Sequence, residues 1–152
     1  MIGIGSPFGD DNVGLQVARI LAEAPPPDCD VIIADRPGAG LIELLDGADA
    51  AIVIDSVCSG APPGTIHELK FDDLRHYPAG LVSSHDLGLA TAIQLARALG
   101  RAPVCGRIIG LEIAPPRSQP TGLLSSHSKA SIGRLVDRVR ACAAELTAES
   151  NV

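Results

Sequence analysis

The sequence of 152 residues predicts a three-layer α/β/α sandwich, built on a mostly parallel, twisted sheet of about five strands with one antiparallel edge strand. Short β-branched runs alternate with amphipathic stretches along the whole chain, which is the pattern of repeated βα units. The runs 31–34 and 51–54 are apolar at every position, as expected for strands covered by helices on both faces. The length corresponds to one domain, which we expect to span residues 1–152.

Five short runs with β-branched or alternating character predict the strands. Two of these runs are predicted to end at a carboxylate residue, Asp35 in one and Asp55 in the other. The turn signal Ala61-Pro62-Pro63-Gly64 precedes a run in which apolar and polar residues alternate, and this alternation indicates an exposed edge strand. The predicted strands are, in order, 1–5, 31–34, 51–54, 65–70 and 107–111.

Apolar residues recur at helical spacing between these runs. The first helix is predicted to begin near Val13, with Asp10 as its N-cap and Asp11 in its first turn. A later helix is predicted to be capped by Ser83 or Ser84. Four helices are predicted, and the second is a short one over 41–45. The apolar faces of the other three are expected to be buried. They consist of Val13, Val17, Ile20, Leu21 and Ala24 in the first helix, Leu89, Ala92, Ile93, Ala96 and Leu99 in the third, and Ile132, Leu135, Val136, Val139 and Leu146 in the last.

The composition disfavours several classes of partner. Aromatic residues make up only 2% of the chain, too few for the stacking platforms that bind single-stranded nucleic acid. Twelve basic residues face 18 acidic ones, giving a net charge of −6 without a basic stripe, so we expect no nucleic-acid partner. No apolar run reaches the roughly 18 residues of a spanning helix, and the N-terminus lacks the features of a signal peptide. We therefore expect a cytoplasmic protein that makes no membrane contact.

Four chemically useful side chains map to one edge of the predicted sheet. In open α/β sheets the binding crevice lies beyond the carboxyl ends of the strands, and Asp11, Asp35, Asp55 and His85 all map there. Two carboxylates and an imidazole form an incomplete ligand set for a divalent metal, which polarises a carbonyl and lowers the pKa of a bound water. Taken singly, each aspartate also suits a helix start or a turn.

Two other functions are compatible with parts of this pattern. Gly3-Ile4-Gly5 after a strand resembles the start of a dinucleotide fingerprint, but Phe8 stands where the third glycine belongs, and two aspartates at the helix start would repel a pyrophosphate. A nucleotide-binding Rossmann-type domain is therefore the weaker alternative. Cys58, with His85 as its base, is a further candidate nucleophile.

Several short motifs, in order and spacing, resemble those of the [NiFe] hydrogenase maturation proteases over nearly the whole chain. They are Gly3-Ile4-Gly5-Ser6-Pro7 with Asp10-Asp11 and Gly14, Ile52-Val53-Ile54-Asp55, Ala61-Pro62-Pro63-Gly64-Thr65, Ser84-His85-Asp86-Leu87-Gly88-Leu89, and Gly110-Leu111-Glu112 with Gly122-Leu123. The resemblance implies an endopeptidase that removes the C-terminal extension of the nickel-loaded hydrogenase large subunit. It implies that Asp11, Asp55 and His85 engage a metal, the nickel of the substrate rather than a permanent cofactor.

The chain departs from the family pattern at three places. Ser6 stands where the family commonly has asparagine, and Asn12 stands where it has glycine. The choice between Asp10 and Asp11 as the first metal ligand therefore stays open. Alignment to Gly14 favours Asp11. The family's Asp-Gly-Gly is here Asp35-Arg36-Pro37-Gly38, which keeps the acid and changes the loop. This loop motivates a second hypothesis, a non-catalytic module that docks on a hydrogenase subunit or a related metalloprotein. The oligomeric state is left open.

Overall fold

The β-branched runs and amphipathic stretches form the alternating strands and helices that the sequence predicts, as described by a computed structural model for residues 1–76, 88–115 and 123–150. The strands are β1 (Ile2–Gly5), β2 (Ile32–Asp35), β3 (Ala50–Val57), β4 (Ile66–Lys70) and β5 (Cys105–Glu112). The helices are α1 (Val13–Glu23), α2 (Leu41–Leu45), α3 (Leu89–Ala98) and α4 (Ser126–Ser150), with 3-10 turns at Gly9–Asn12, Gly38–Gly40 and Phe71–His76.

The five strands form one mixed sheet in the order β2-β1-β3-β5-β4. All neighbours are parallel except β4, which is antiparallel to β5 at the edge, so the predicted fold class is confirmed. From β1 the chain moves to one side to form β2 and then to the other side to form β3. The direction of winding therefore reverses between β1 and β3, and such a switch point opens a crevice at the carboxyl ends of the two strands.

The sheet is covered on both faces, and each face has its own hydrophobic core. Because side chains alternate along a strand, Ala51 and Val53 point to one face while Ile52 and Ile54 point to the other. The first face packs against α2 and α3, and the second packs against α1 and α4. This arrangement gives the three layers.

Several local predictions are corrected by the structure. Asp55 does not end a strand, because β3 continues to Val57. Asp10 is not the N-cap of α1 and Asp11 is not in its first turn, since both lie within the preceding 3-10 turn and Asn12 occupies the N-cap position. The third helix begins after Gly88 rather than at a serine cap, and Ser83 and Ser84 fall outside the described residues.

Burial also differs from the prediction at β2 and at three positions assigned to helix faces. β2 is an edge strand, and Ile33 is 44% exposed, so the expectation that helices cover both of its faces is wrong. Ile20, Ala24 and Leu99, assigned to buried helix faces, are exposed. Among the described helices none combines the length and hydropathy needed to cross a bilayer.

Candidate functional site

Glycines bring the segment after β1 unusually close to the sheet. A Cβ placed on Gly14, at the start of α1, would lie 2.1 Å from the carbonyl oxygen of Ile4 and 2.4 Å from that of Ile54. Gly5 has a φ of +147°, and a Cβ there would lie 2.1 Å from the carbonyl oxygen of Asp11. The missing side chains therefore let the helix start rest on β1 and β3 and place Asp11 at the switch point.

Ser56 connects Asp11 and Asp55 at this edge of the sheet. The hydroxyl of Ser56 donates to Asp11 Oδ1 at 2.9 Å, and the backbone N–H of Ser56 donates to Asp55 Oδ1 at 2.8 Å. The last residue pair that joins β1 to β3 is Gly3 and Ile54, so both Asp55 and Ser56 lie beyond that pairing. The sequence prediction that these two carboxylates share one edge is confirmed.

Asp55 is the most deeply buried acid of the pair. The residue is 1% exposed, and in the described part of the chain its Oδ2 atom has no hydrogen-bond partner. Burial raises the pKa of Asp55 well above its ordinary value, and the negative charge of Asp11 raises it further, while the N–H of Ser56 opposes the shift. A buried acceptor without a donor is suited to receive a cation or a proton.

Asp35 reaches the same edge, in register with Gly5, but its surroundings are different. Its side chain is half exposed, and both of its oxygens accept hydrogen bonds from Arg36, from Nε at 2.7 Å and from the terminal nitrogen at 3.3 Å. Arg36 has a φ of +43°, a backbone conformation that most side chains avoid. The positive charge of Arg36 thus stands at the mouth of an otherwise acidic site.

The structure separates the roles of the two adjacent aspartates. Asp10 accepts a hydrogen bond from the backbone N–H of Ser125 at 2.6 Å, which fastens the 3-10 turn to the residue before α4. Asp11 instead faces Ser56. Asp10 therefore has a structural partner, and Asp11 is the member of the pair beside Asp55.

His85, the predicted third ligand, lies outside the described residues. Its proximity to Asp11 and Asp55 stays a prediction. His127 is exposed at the start of α4, and His67 is partly buried with its Nε2 atom against Glu112.

A second buried carboxylate is Glu112, at the end of β5, for which the sequence pattern alone predicts no role. Its side chain is 1% exposed and accepts four hydrogen bonds. Three come from the loop after β3, from the N–H and hydroxyl of Ser59 at 2.7 Å each and from the N–H of Gly60 at 2.9 Å, and the fourth joins His67 Nε2 at 2.8 Å. Although burial acts in the opposite direction, the bonds from Ser59, Gly60 and His67 lower the pKa of Glu112. Glu112 therefore anchors the loop that follows β3, the strand that carries Asp55.

Replacing Glu112 with glutamine should lower the free energy of unfolding at pH 7 by about 2–4 kcal/mol, because an amide places donors where four donors already converge. The folded-state pKa is lowered, so the stabilising effect is present above the unfolded pKa and is lost as the pH falls through the folded one. Urea unfolding of the variant and wild type between pH 3 and pH 8 measures both effects. The exposed Glu43→Gln is the control, and an equal loss in the two variants would contradict the anchor role.

Another acidic group, formed by Glu68, Cys142 and Glu145, brings its possible ligand atoms within 4.8 Å of one another. Arg138 occupies both carboxylates, with Nε 2.7 Å from Glu68 and a terminal nitrogen 2.9 Å from Glu145. Burial raises the pKa of Cys142 to about 11, which keeps it a thiol at neutral pH. A cation would have to displace Arg138, so this group is an ion-pair network.

A cavity of about 430 Å³ lies at the opposite, amino edge of the sheet. Its walls include Met1, Asp28, Asp46 and Asp49. The cavity thus lies away from Asp11 and Asp55.

The chain matches a family model and several known proteins. The model, HycI, is described as hydrogenase maturation protease and matches residues 15–141, a range that contains Asp35, Asp55 and His85. The hydrogenase expression/formation proteins HupD of Rhodobacter capsulatus and Thiocapsa roseopersicina are 29% and 28% identical to the chain over 116 residues. These alignments cover 74% of this chain and 55% and 52% of the relatives, so the chain spans about half of their length.

Solved structures of similar proteins share the fold. The hydrogenase maturating endopeptidase HybD from E. coli has a TM-score of 0.79 and 25% identity, covering 95% of this chain and 90% of its own. The [NiFe] hydrogenase maturation protease HybD from Thermococcus kodakarensis has a TM-score of 0.70 and 23% identity, covering 93% and 95%, which supports the fold alone. Since the family model extends over most of the sequence and includes strand β3 with Asp55, the chain belongs to the hydrogenase maturation protease family.

Proposed function

We propose that the chain is an endopeptidase that removes the C-terminal extension of a nickel-loaded [NiFe] hydrogenase large subunit. The observation that carries the proposal is the buried Asp55 Oδ2, which has no hydrogen-bond partner among the described residues and lies at the same edge as the Asp11 carboxylate. Because ionised carboxylates are negatively charged and only accept hydrogen bonds, the two side chains together repel phosphate and favour a cation. Family membership supports peptide hydrolysis as the reaction.

In the proposed reaction, Asp11, Asp55 and His85 contact the nickel already present in the substrate, so the protease needs no permanent metal of its own. Because the ligand set is incomplete, the ion keeps positions for the ligands of the hydrogenase subunit. Cleavage then depends on prior insertion of nickel, since the metal brings the scissile peptide to the site. A water, activated by the metal or by a nearby carboxylate, attacks the peptide carbonyl. The C–N bond of the peptide then breaks, and the amine leaves with the proton that the water gave up.

Asp35, the other carboxylate at this edge, is a candidate base for this water. Arg36 donates to both of its oxygens, and this ion pair competes with proton abstraction. We therefore assign the pair Asp35–Arg36 to the mouth of the site, where it meets the substrate. Replacement of Asp35 by asparagine should reduce the rate of processing less than replacement of Asp11 does.

The test incubates the full chain with purified nickel-loaded precursor and measures the mass of the precursor over time. Wild type is expected to shorten the precursor, while Asp11→Asn and His85→Ala are expected to lower the rate by at least about 100-fold, because each removes a proposed contact to the metal. Asp46→Asn, whose carboxylate pairs with Arg101 at the amino edge, is the matched control and should retain full activity. Unchanged processing by Asp11→Asn would overturn the assigned site.

Two rival functions give different results in the same experiment. A docking module binds the precursor and leaves its mass unchanged, with or without nickel. A nucleotide-binding domain is protected from thermal unfolding by a dinucleotide and is unaffected by the precursor. Either result, obtained with folded wild type, would exclude the endopeptidase.

A further inference from the structure

Ser56 contacts both carboxylates of the candidate site. Its side chain is buried within β3, and the residue is only 5% exposed. The backbone N–H donates to Asp55 Oδ1 at 2.8 Å, and the hydroxyl donates to Asp11 Oδ1 at 2.9 Å. One residue therefore joins two acids that are 44 positions apart in the sequence.

The alternation of side chains along β3 explains why a connecting residue is useful. Asp55 shares the face of Ala51 and Val53, which packs against α2 and α3, and Ser56 shares the face of Ile52 and Ile54, which packs against α1 and α4. Asp11 follows β1 and precedes α1, so it approaches from the face of Ser56. The two carboxylates therefore reach the edge from opposite faces of the sheet.

Two like charges at one edge repel each other, and a positioned donor is needed to hold them in a fixed relation. The hydroxyl of Ser56 is such a donor, since a hydrogen bond to a carboxylate is about twice as strong as one between neutral groups. Its N–H occupies Asp55 Oδ1, so the oxygen left for a cation is the buried Oδ2, which has no hydrogen-bond partner among the residues that the structure describes.

We propose that Ser56 is a positioning residue, which fixes the Asp11 carboxylate relative to Asp55 Oδ2. In this arrangement the Asp11 carboxylate and Asp55 Oδ2 contact the same metal ion of the substrate. This inference depends on the proposed function for the identity of the ion. The contact between Ser56 and Asp11 itself does not depend on it.

The test compares Ser56→Ala, which removes the hydroxyl and keeps the backbone N–H, with Ser56→Thr, which keeps a hydroxyl. With nickel-loaded precursor, Ser56→Ala should lower kcat/KM on the order of tenfold, as expected for one lost hydrogen bond to a charged group. Ser56→Thr should stay within about threefold of wild type, because the hydroxyl can still donate to Asp11. Ser131→Ala removes a buried hydroxyl that contacts Arg134 in α4, and it should leave kcat/KM unchanged.

A second measurement does not require activity. The unfolding equilibrium constants of wild type, Ser56→Ala, Asp11→Ala and the double variant form a double-mutant cycle. We expect the effects of the two substitutions to be non-additive by about tenfold, since each removes the same hydrogen bond. Additive effects would overturn the contact, and the cycle decides the question even if Ser56→Thr does not fold.

The outcomes separate this inference from the proposed function. If wild type leaves the precursor intact, the proposed function fails, and the cycle still tests the contact. If wild type cuts the precursor and Ser56→Ala cuts it equally fast, the endopeptidase stands and the positioning role of Ser56 is overturned. An equal loss in Ser56→Ala and in a folded Ser56→Thr would also overturn it, because packing would then explain the effect.

Discussion

Asp55→Asn is expected to abolish processing of the precursor while raising the free energy of unfolding at pH 7 by about 1–3 kcal/mol. The carboxylate is buried, and its Oδ2 has no hydrogen-bond donor in the described part of the chain. Asparagine keeps an oxygen for the N–H of Ser56 and removes the charge that burial penalises. A residue that costs stability and is required for activity is typical of a functional site.

The pH dependence of the same variant has a defined sign. Burial, together with the charge of Asp11, raises the folded-state pKa of Asp55 above its unfolded value. The destabilising effect of the acid is therefore absent below the unfolded pKa, grows as the pH rises towards the folded pKa, and is complete above it. The stability difference between Asp55→Asn and wild type should consequently be small near pH 3.5 and largest at pH 7 and above.

Urea unfolding at four pH values between 3.5 and 8.5 measures this difference, and the mass assay measures processing. Asp46→Asn is the control, because its carboxylate is exposed and paired with Arg101. If Asp55→Asn is less stable than wild type at pH 7, the carboxylate has a donor or cation that stabilises its charge in the free protein, and the argument from the unpartnered oxygen is wrong.

Much of the fold could be predicted because its signals are local. The helical spacing that begins at Val13 and the five predicted runs all correspond to observed elements. The shared edge of Asp11, Asp35 and Asp55 was also predictable, since parallel strands place their carboxyl ends on the same side. The order of the strands is not a local property. The apolar runs 31–34 and 51–54 look alike, yet Ile33 is 44% exposed at an edge and Ile54 is fully buried in the centre.

The details of the site depend on contacts between distant positions, which composition and periodicity do not encode. Asp10 and Asp11 are chemically identical neighbours, and they are distinguished by Ser125, 115 positions away, and by Ser56, 45 positions away. The four donors to Glu112 likewise come from another loop and strand. The only sequence signal for Ser56 is its position directly after Asp55.

Gly14→Ala should lower the free energy of unfolding by about 3 kcal/mol or more. The new Cβ would lie 2.1 Å from the carbonyl oxygen of Ile4 and 2.4 Å from that of Ile54, and both are backbone atoms of central strands. Carbon and oxygen atoms normally approach no closer than about 3.3 Å, so α1 must move away from the sheet. Asp11, three residues before Gly14, moves with it and loses its place beside Ser56.

Gly133→Ala is the matched control, since Gly133 is an exposed position of α4 where a Cβ meets nothing within 4 Å. There the substitution should stabilise the protein by about 0.5–1 kcal/mol, because alanine has the higher helix propensity. Chemical unfolding measures both variants, and the mass assay run well below the melting temperature of Gly14→Ala measures processing. If Gly14→Ala keeps wild-type stability, α1 is not in direct contact with β1 and β3. If it is destabilised but folded and still processes at the wild-type rate, the close approach stabilises the fold without determining the position of Asp11.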